Sequence, residues 1–165
     1  MSITRSRIEL EIKEVKFRGN GSARDWYASA HVVATDLGGR KITAIPAVHT
    51  VPAVGFHLES DSASLVFSGD TTINDALWEV VNRIDNLRYL IIETAFSDNE
   101  KELAVLSKHL CPSMLAGELQ KFRGGAEVYI THLKPGELEL TMRQVEKAVH
   151  GCGPIMLLNN QEFEF

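Results

Sequence analysis

Residues 65–74 read "LVFSGDTTIN". The apolar run Leu65-Val66-Phe67 stops abruptly at Ser68-Gly69-Asp70-Thr71, and a helical pattern begins directly afterwards. Gly and Asp form turns, so the stop can be a plain turn. It can also be a rigid strand delivering a carboxylate to a site. On either reading it divides the chain. Before it, the pattern is almost wholly extended; after it, strands and helices alternate.

Upstream, residues 7–17, "RIELEIKEVKF", alternate with period two, as a strand with one wet face does. The stretch "WYASAHVVATDL" (26–37) is rich in aromatic and β-branched residues. It is joined across "GGR" to "KITAIPAV" (41–48), which predicts a hairpin. Short strands follow at "VGFHLES" (54–60) and "ASLVFSG" (63–69), around the polar turn Ser60-Asp61-Ser62. Downstream, Ala76, Leu77, Val80, Val81 and Ile84 recur at helical spacing, with Asn74 or Thr72 as N-cap. "LRYLIIETA" (87–95) and "AEVYITHL" (126–133) read as buried strands. Residues 99–110, 111–122 and 137–150 read as helices, the second with Pro112 in its first turn. "PIMLLNN" (154–160) and "EFEF" (162–165) read as closing strands. The class is α+β, and the helix-free, antiparallel-looking first half argues against a doubly wound sheet.

The length, 165 residues, suits one domain, residues 1–165. With 17 basic and 22 acidic residues the net charge is -5, which argues against a broad nucleic-acid-binding face. No apolar run is long enough for a membrane span, and the first residues lack the apolar core of a secretion signal. Cys111 and Cys152 are far apart and read as free thiols in a reducing compartment, so a cytoplasmic location is expected.

Four apolar strands run into residues of one chemical kind: "TAIPAV" into His49, "LVFSG" into Asp70, "YLII" into Glu93 and "VYIT" into His132. A single case is a turn or a cap. Four together are hard to explain that way, because strand ends are rigid and can converge at one edge of a sheet. Imidazole and carboxylate are ligands for zinc, manganese or iron, and a carboxylate can bridge two ions. The small residues before Asp70 allow close backbone approach there.

"HTVPAVGF", "FSGDT", "IIETAF", "SKHL" and "YITHLKPGE", in this order between Ile45 and Gly136, resemble the metallo-β-lactamase fold hydrolases. The similarity is strongest to the class II cyclic-nucleotide phosphodiesterases and more distant to the ribonuclease Z group. The resemblance implies an αββα sandwich with metal ions at one edge of its sheets. It implies His49, Asp70 and His132 as metal ligands, with Asp70 bridging and also catalytic. It implies Glu93 and His109 as a catalytic carboxylate–histidine pair donating a proton to the leaving oxygen. The implied substrate is a small cyclic nucleotide, and the implied cofactor is zinc or another divalent transition metal, manganese or iron.

The family's main ligand motif, HxHxDH, is absent from this sequence. The chain is therefore expected to correspond to the C-terminal part of such a domain, to bind metal weakly or not at all, and to be inactive alone. A catalytically dead homologue with an interaction or structural role is the alternative. Sheet surface left uncovered by a partial sandwich predicts a homodimer. No membrane and no nucleic-acid partner are expected. Of the other candidates, His31 reads as structural, His57 as a solvent-facing strand residue and His150 as a cation at a helix C-terminus. Lys134 reads as an exposed lysine, and Thr50 and Thr71 as hydrogen-bonding neighbours of ligands.

Overall fold

The computed structural model describes residues 35–36 and 39–164. The chain divides into two units, Met1–His31 and Val32–Phe165, and all the described residues lie in the second. The strand expected at 7–17, most of that at 26–37, and His31 fall outside them.

The described residues form one seven-stranded sheet in sequence order: β1 (Thr35–Asp36), β2 (Lys41–Pro46), β3 (Val54–Glu59), β4 (Ser64–Phe67), β5 (Leu87–Glu93), β6 (Glu127–Thr131) and β7 (Ile155–Met156). β1 through β4 pair antiparallel, and β4 through β7 pair parallel. The change falls at β4, where the tight connections end and helical crossovers begin, because parallel neighbours cannot be joined by a hairpin. The helices are α1 (Asp75–Val81), α2 (Lys101–Ser107, preceded by a 3₁₀ turn at Asp98–Glu100), α3 (Pro112–Leu119) and α4 (Leu138–Ala148).

Strand alternation sorts the core. Ile45, Val66, Leu90, Ile92, Val128 and Ile130 point to one face, where they pack with Leu77, Trp78 and Val81 of α1, Leu115 and Leu119 of α3, and Val145 of α4. Each such side chain contributes about 1.5–3 kcal/mol when fully buried. The opposite face gathers Leu65, Tyr89, Ile91 and Tyr129, with Leu157 and Phe163 packed against them.

Several local expectations need correction. On α1 the buried positions are Leu77, Trp78 and Val81, and Ala76 is exposed. The helix is rotated so that the Trp78 indole N–H can donate to the buried Glu118 carboxylate at 2.7 Å. "PIMLLNN" is a strand only at Ile155–Met156, and the described part of "EFEF" is no strand. Side chains anchor that tail instead: Phe163 packs on Tyr89 and Tyr129, and the Glu164 carbonyl accepts from Arg88. His57 does not face solvent. Its Nε2 is buried without a hydrogen-bond partner among the described residues, and burial pushes its pKa below the ordinary imidazole value. Lys134 is half-buried, pairs with Glu100 at 2.9 Å and lies over the Phe96 ring. Lys147 occupies the last turn of α4, and His150 is exposed beyond its end.

The glycine of the opening stretch is explained by the sheet. Gly69 has φ +64, and a Cβ there would overlap the Val54 carbonyl. Gly55 meets the Phe67 and Ser68 carbonyls as closely from β3. The loop that leaves β4 thus lies directly on the start of β3. Gly69→Ala is expected to destabilise the fold by about 2 kcal/mol or more, from backbone strain and overlap together. Urea denaturation measures it; a loss within error of zero would mean the close approach is not maintained in solution.

Candidate functional site

β2, β4, β5 and β6 all run in one direction, because two antiparallel pairings separate β2 from β4 and the later pairings are parallel. Their C-terminal ends therefore share one sheet edge. His49 follows β2 by three residues, Asp70 follows β4 by three, Glu93 is the last residue of β5, and His132 is the first residue after β6. Pleating and direction bring to one edge four residues that lie far apart in sequence.

His109 reaches the same edge from the link between α2 and α3. Lys108 closes α2 in the left-handed conformation, φ 57, and turns the chain so that His109 faces the sheet. Its ring centroid is 4.8 Å from that of His49 and 5.0 Å from that of His132, stacked on the latter. His132 itself has φ 63, a left-handed geometry uncommon for a residue with a side chain.

Glu93 is fully buried. Its Oε1 is 2.8 Å from His109 Nδ1 and accepts the Thr71 N–H at 3.1 Å, while its Oε2 accepts the Ala95 N–H at 3.0 Å. A buried carboxylate must have its lone pairs occupied, and these three donors fix it and are oriented by it in turn. The hydrogen bond from Glu93 raises the His109 pKa above the ordinary imidazole value. Burial opposes that rise, and the charges of Glu93 and Asp70 add to it. With Nδ1 committed to Glu93, the proton His109 can give away is the one on Nε2.

His49 Nδ1 lies 3.3 Å from the Lys108 carbonyl, and Lys108 Nζ donates to the His49 carbonyl at 3.2 Å. A carbonyl can only accept, so Nδ1 of His49 is the donor in that bond and Nε2 is the ring nitrogen left for another partner. His132 Nδ1 and Asp70 Oδ1 are 3.5 Å apart, and both side chains are close to half exposed. Thr71 stitches the loops together. Its Oγ1 accepts the Val48 N–H at 2.9 Å, and the next residue, Thr72, donates its N–H to the Val48 carbonyl at 2.9 Å. Thr50 is exposed.

Two imidazoles and a carboxylate, His49, His132 and Asp70, have the donor chemistry of a transition-metal ligand set. Their arrangement does not complete one. Among the described residues, no three His, Cys, Asp or Glu side chains converge to hold an ion. The ring of His109 lies against both imidazoles, and Asp70 faces His132. The side chains the sequence reading did not single out are Asn74, beyond its capping role, and Glu118. Both are buried polar groups bonded to the loops of this edge, and nothing in their local sequence marks them.

No protein-family profile matches the chain. It is similar to the 1-deoxy-D-xylulose-5-phosphate synthase of Fusobacterium nucleatum, 28% identical over 153 residues. The match takes in 88% of this chain and 23% of that protein, so the chain spans under a quarter of that relative's length. Among solved structures it is similar to the metallo-β-lactamase fold protein YhfI from Bacillus subtilis, with TM-score 0.60, 18% identity, and 75% of this chain and 49% of that one covered. It is also similar to unliganded yeast PDE1, with TM-score 0.59, 16% identity, and 78% and 46% covered. At these identities the likeness establishes the fold: the mixed sheet and its helices are those of metallo-β-lactamase fold proteins. No helix among the described residues is long and apolar enough to cross a membrane.

The raised His109 pKa has a definite sign in stability. The Glu93–His109 pair contributes fully below the ordinary imidazole pKa, and the contribution is lost as pH rises through the raised value. Glu93→Gln removes the charge and is expected to return the His109 pKa toward the ordinary value. NMR titration of the imidazole measures it; an unchanged midpoint would show that Glu93 is not the cause.

Proposed function

We propose that the protein is a metal-dependent phosphodiester hydrolase of the metallo-β-lactamase fold, acting on small cyclic nucleotides and not competent as this chain alone. The observation that carries the reading is the buried Glu93–His109 pair, held at the shared strand edge beside His49, Asp70 and His132. An imidazole fixed by a buried carboxylate, with a raised pKa and an Nε2 proton not committed to that carboxylate, is a proton donor suited to an alkoxide leaving group near neutral pH. Glu93 sets the ring's orientation and favours its charged form. Thr71 holds the carboxylate in turn. His49, Asp70 and His132 are the residues this reading assigns to a divalent transition metal, which when bound would polarise the phosphoryl group. The net charge of -5 favours a small substrate over a nucleic acid.

The second reading is a catalytically dead homologue with an interaction or structural role. The absent HxHxDH motif and the unconverged donors favour it. The first reading expects at most about one weakly held ion per chain, since three protein ligands can hold one ion and two-ion hydrolases share more. It also expects hydrolysis slowed by several powers of ten, because a missing second ion removes several kcal/mol of transition-state stabilisation. Loading with zinc or manganese, elemental analysis, and assays of cyclic AMP and cyclic GMP hydrolysis test it. Two tightly held ions with robust turnover would overturn the inactive-alone reading. No binding and no detectable turnover at any metal concentration would favour the dead homologue.

We also propose that the chain associates as a two-fold dimer. α2 leaves Leu103, Val105 and Leu106 exposed on one short helix, and burying such side chains is the usual driving force for association. Light scattering at micromolar concentration is expected to give twice the chain mass; a stable monomer would contradict it.

A further inference from the structure

Glu118 is a second buried carboxylate, 3% exposed, on the helix-covered side of the sheet and outside the strand-end site. Its Oε2 accepts the Asn74 N–H at 3.0 Å and the Trp78 Nε1–H at 2.7 Å, and its Oε1 accepts from Lys121 Nζ at 2.6 Å. Lys121 is also bonded to Asp75 at the surface. Asn74 carries the connection inward. Its Oδ1 caps α1 at the Leu77 N–H, and its Nδ2 donates to the Pro46 carbonyl at 2.9 Å and to Thr71 Oγ1 at 3.3 Å. Thr71 then bonds Val48, the neighbour of His49, and Glu93, the partner of His109.

We propose that Glu118 is a positioning residue for the candidate site, acting through Asn74 and Thr71 on the loops that carry His49 and Asp70 and on the carboxylate that holds His109. The inference rests on reading that strand edge as the functional site. Nothing local requires a carboxylate at position 118. An α3 residue packed against Trp78 would be apolar if it only filled the core, and burying a carboxyl group there is costly unless its lone pairs are used. The three donors that occupy this one all belong to α1 and the residue before it or to the segment after α3. One of them is the backbone N–H of the residue that ties Pro46 to Thr71. The carboxylate therefore sets where Asn74 sits, and Asn74 sets the spacing between the end of β2 and the loop after β4.

Three variants of the full chain separate positioning from simple stability: Glu118→Leu, Glu118→Gln and, as a control, Leu119→Ala, a core truncation on the same helix that touches no loop bond. The readouts are amide hydrogen exchange at residues 47–49 and 70–74 and the ring resonances of His49 and His109. Glu118→Leu is expected to raise exchange at Val48, Thr71 and Asn74 by about tenfold beyond its effect on global stability, and to move both ring resonances. Glu118→Gln keeps an oxygen for Asn74 and Trp78 and is expected to restore both readouts toward wild type. Leu119→Ala is expected to alter exchange only in proportion to its loss of stability. Should Glu118→Leu fail to fold, Asn74→Ser carries the test, since serine still caps α1 but cannot reach both Pro46 and Thr71. Its expected result is the same rise at Val48 and Thr71. Identical patterns for Glu118→Leu (or Asn74→Ser) and Leu119→Ala, or no rescue by Gln, would overturn the proposal. These readouts need no turnover, so a failed hydrolase assay leaves the positioning result standing, and the reverse holds.

Discussion

The buried carboxyl group of Glu93 is the constraint on which the candidate site depends. A carboxylate with no exposure must have its lone pairs occupied or cost several kcal/mol. Its donors come from three separate parts of the chain: the loop after β4 through Thr71, the bend after β5 through Ala95, and the α2–α3 link through His109. Satisfying one carboxylate therefore fixes three segments at once. Ser68 completes the junction, its hydroxyl accepting the Glu93 N–H at 3.1 Å and its own N–H bonding the Ile91 carbonyl.

Sheet direction does the rest of the placing. Ligand sites in open α/β sheets lie beyond the carboxyl ends of strands, where the loops diverge. Here the two hairpin connections before β4 return the chain to the same direction, so β2 ends beside the parallel strands β4, β5 and β6. Gly69 and Gly55 let the β4 exit loop, which carries Asp70, lie against the start of β3. The left-handed residues Lys108 and His132 turn two further segments inward. Such strain persists only where the surroundings hold it, and here the surroundings are the hydrogen bonds of Lys108 with His49 and the stacked imidazoles.

The element order after residue 41 was legible because it rests on local signals. The turn at "GGR" marked the start of β2, Asn74 or Thr72 the start of α1, and Pro112 the start of α3. The misreadings share one cause. The apolar spacing of α1 includes the exposed Ala76 and leaves out the buried Trp78, and strand spacing predicts a solvent-facing His57, because periodicity says which side a residue is on and not what waits there. The indole is buried because Glu118 accepts its N–H, and His57 lies on the face that the helices cover. The tail at 161–164 has strand-like composition, but it finds side-chain partners in Arg88, Tyr89 and Tyr129 in place of a ladder.

The sequence by itself determined the residue types at the strand ends, His49, Asp70, Glu93 and His132. It did so because a strand's end is a local feature and the side chain that follows it is simply the next letters. It also determined the absence of an HxHxDH motif from this chain. Only the tertiary structure decided that these ends share an edge, since that follows from strand direction and pairing, which are long-range. Only it revealed Glu118 and Asn74 as the support behind Thr71. The bond between them joins residues 44 apart, and no local pattern encodes such a separation.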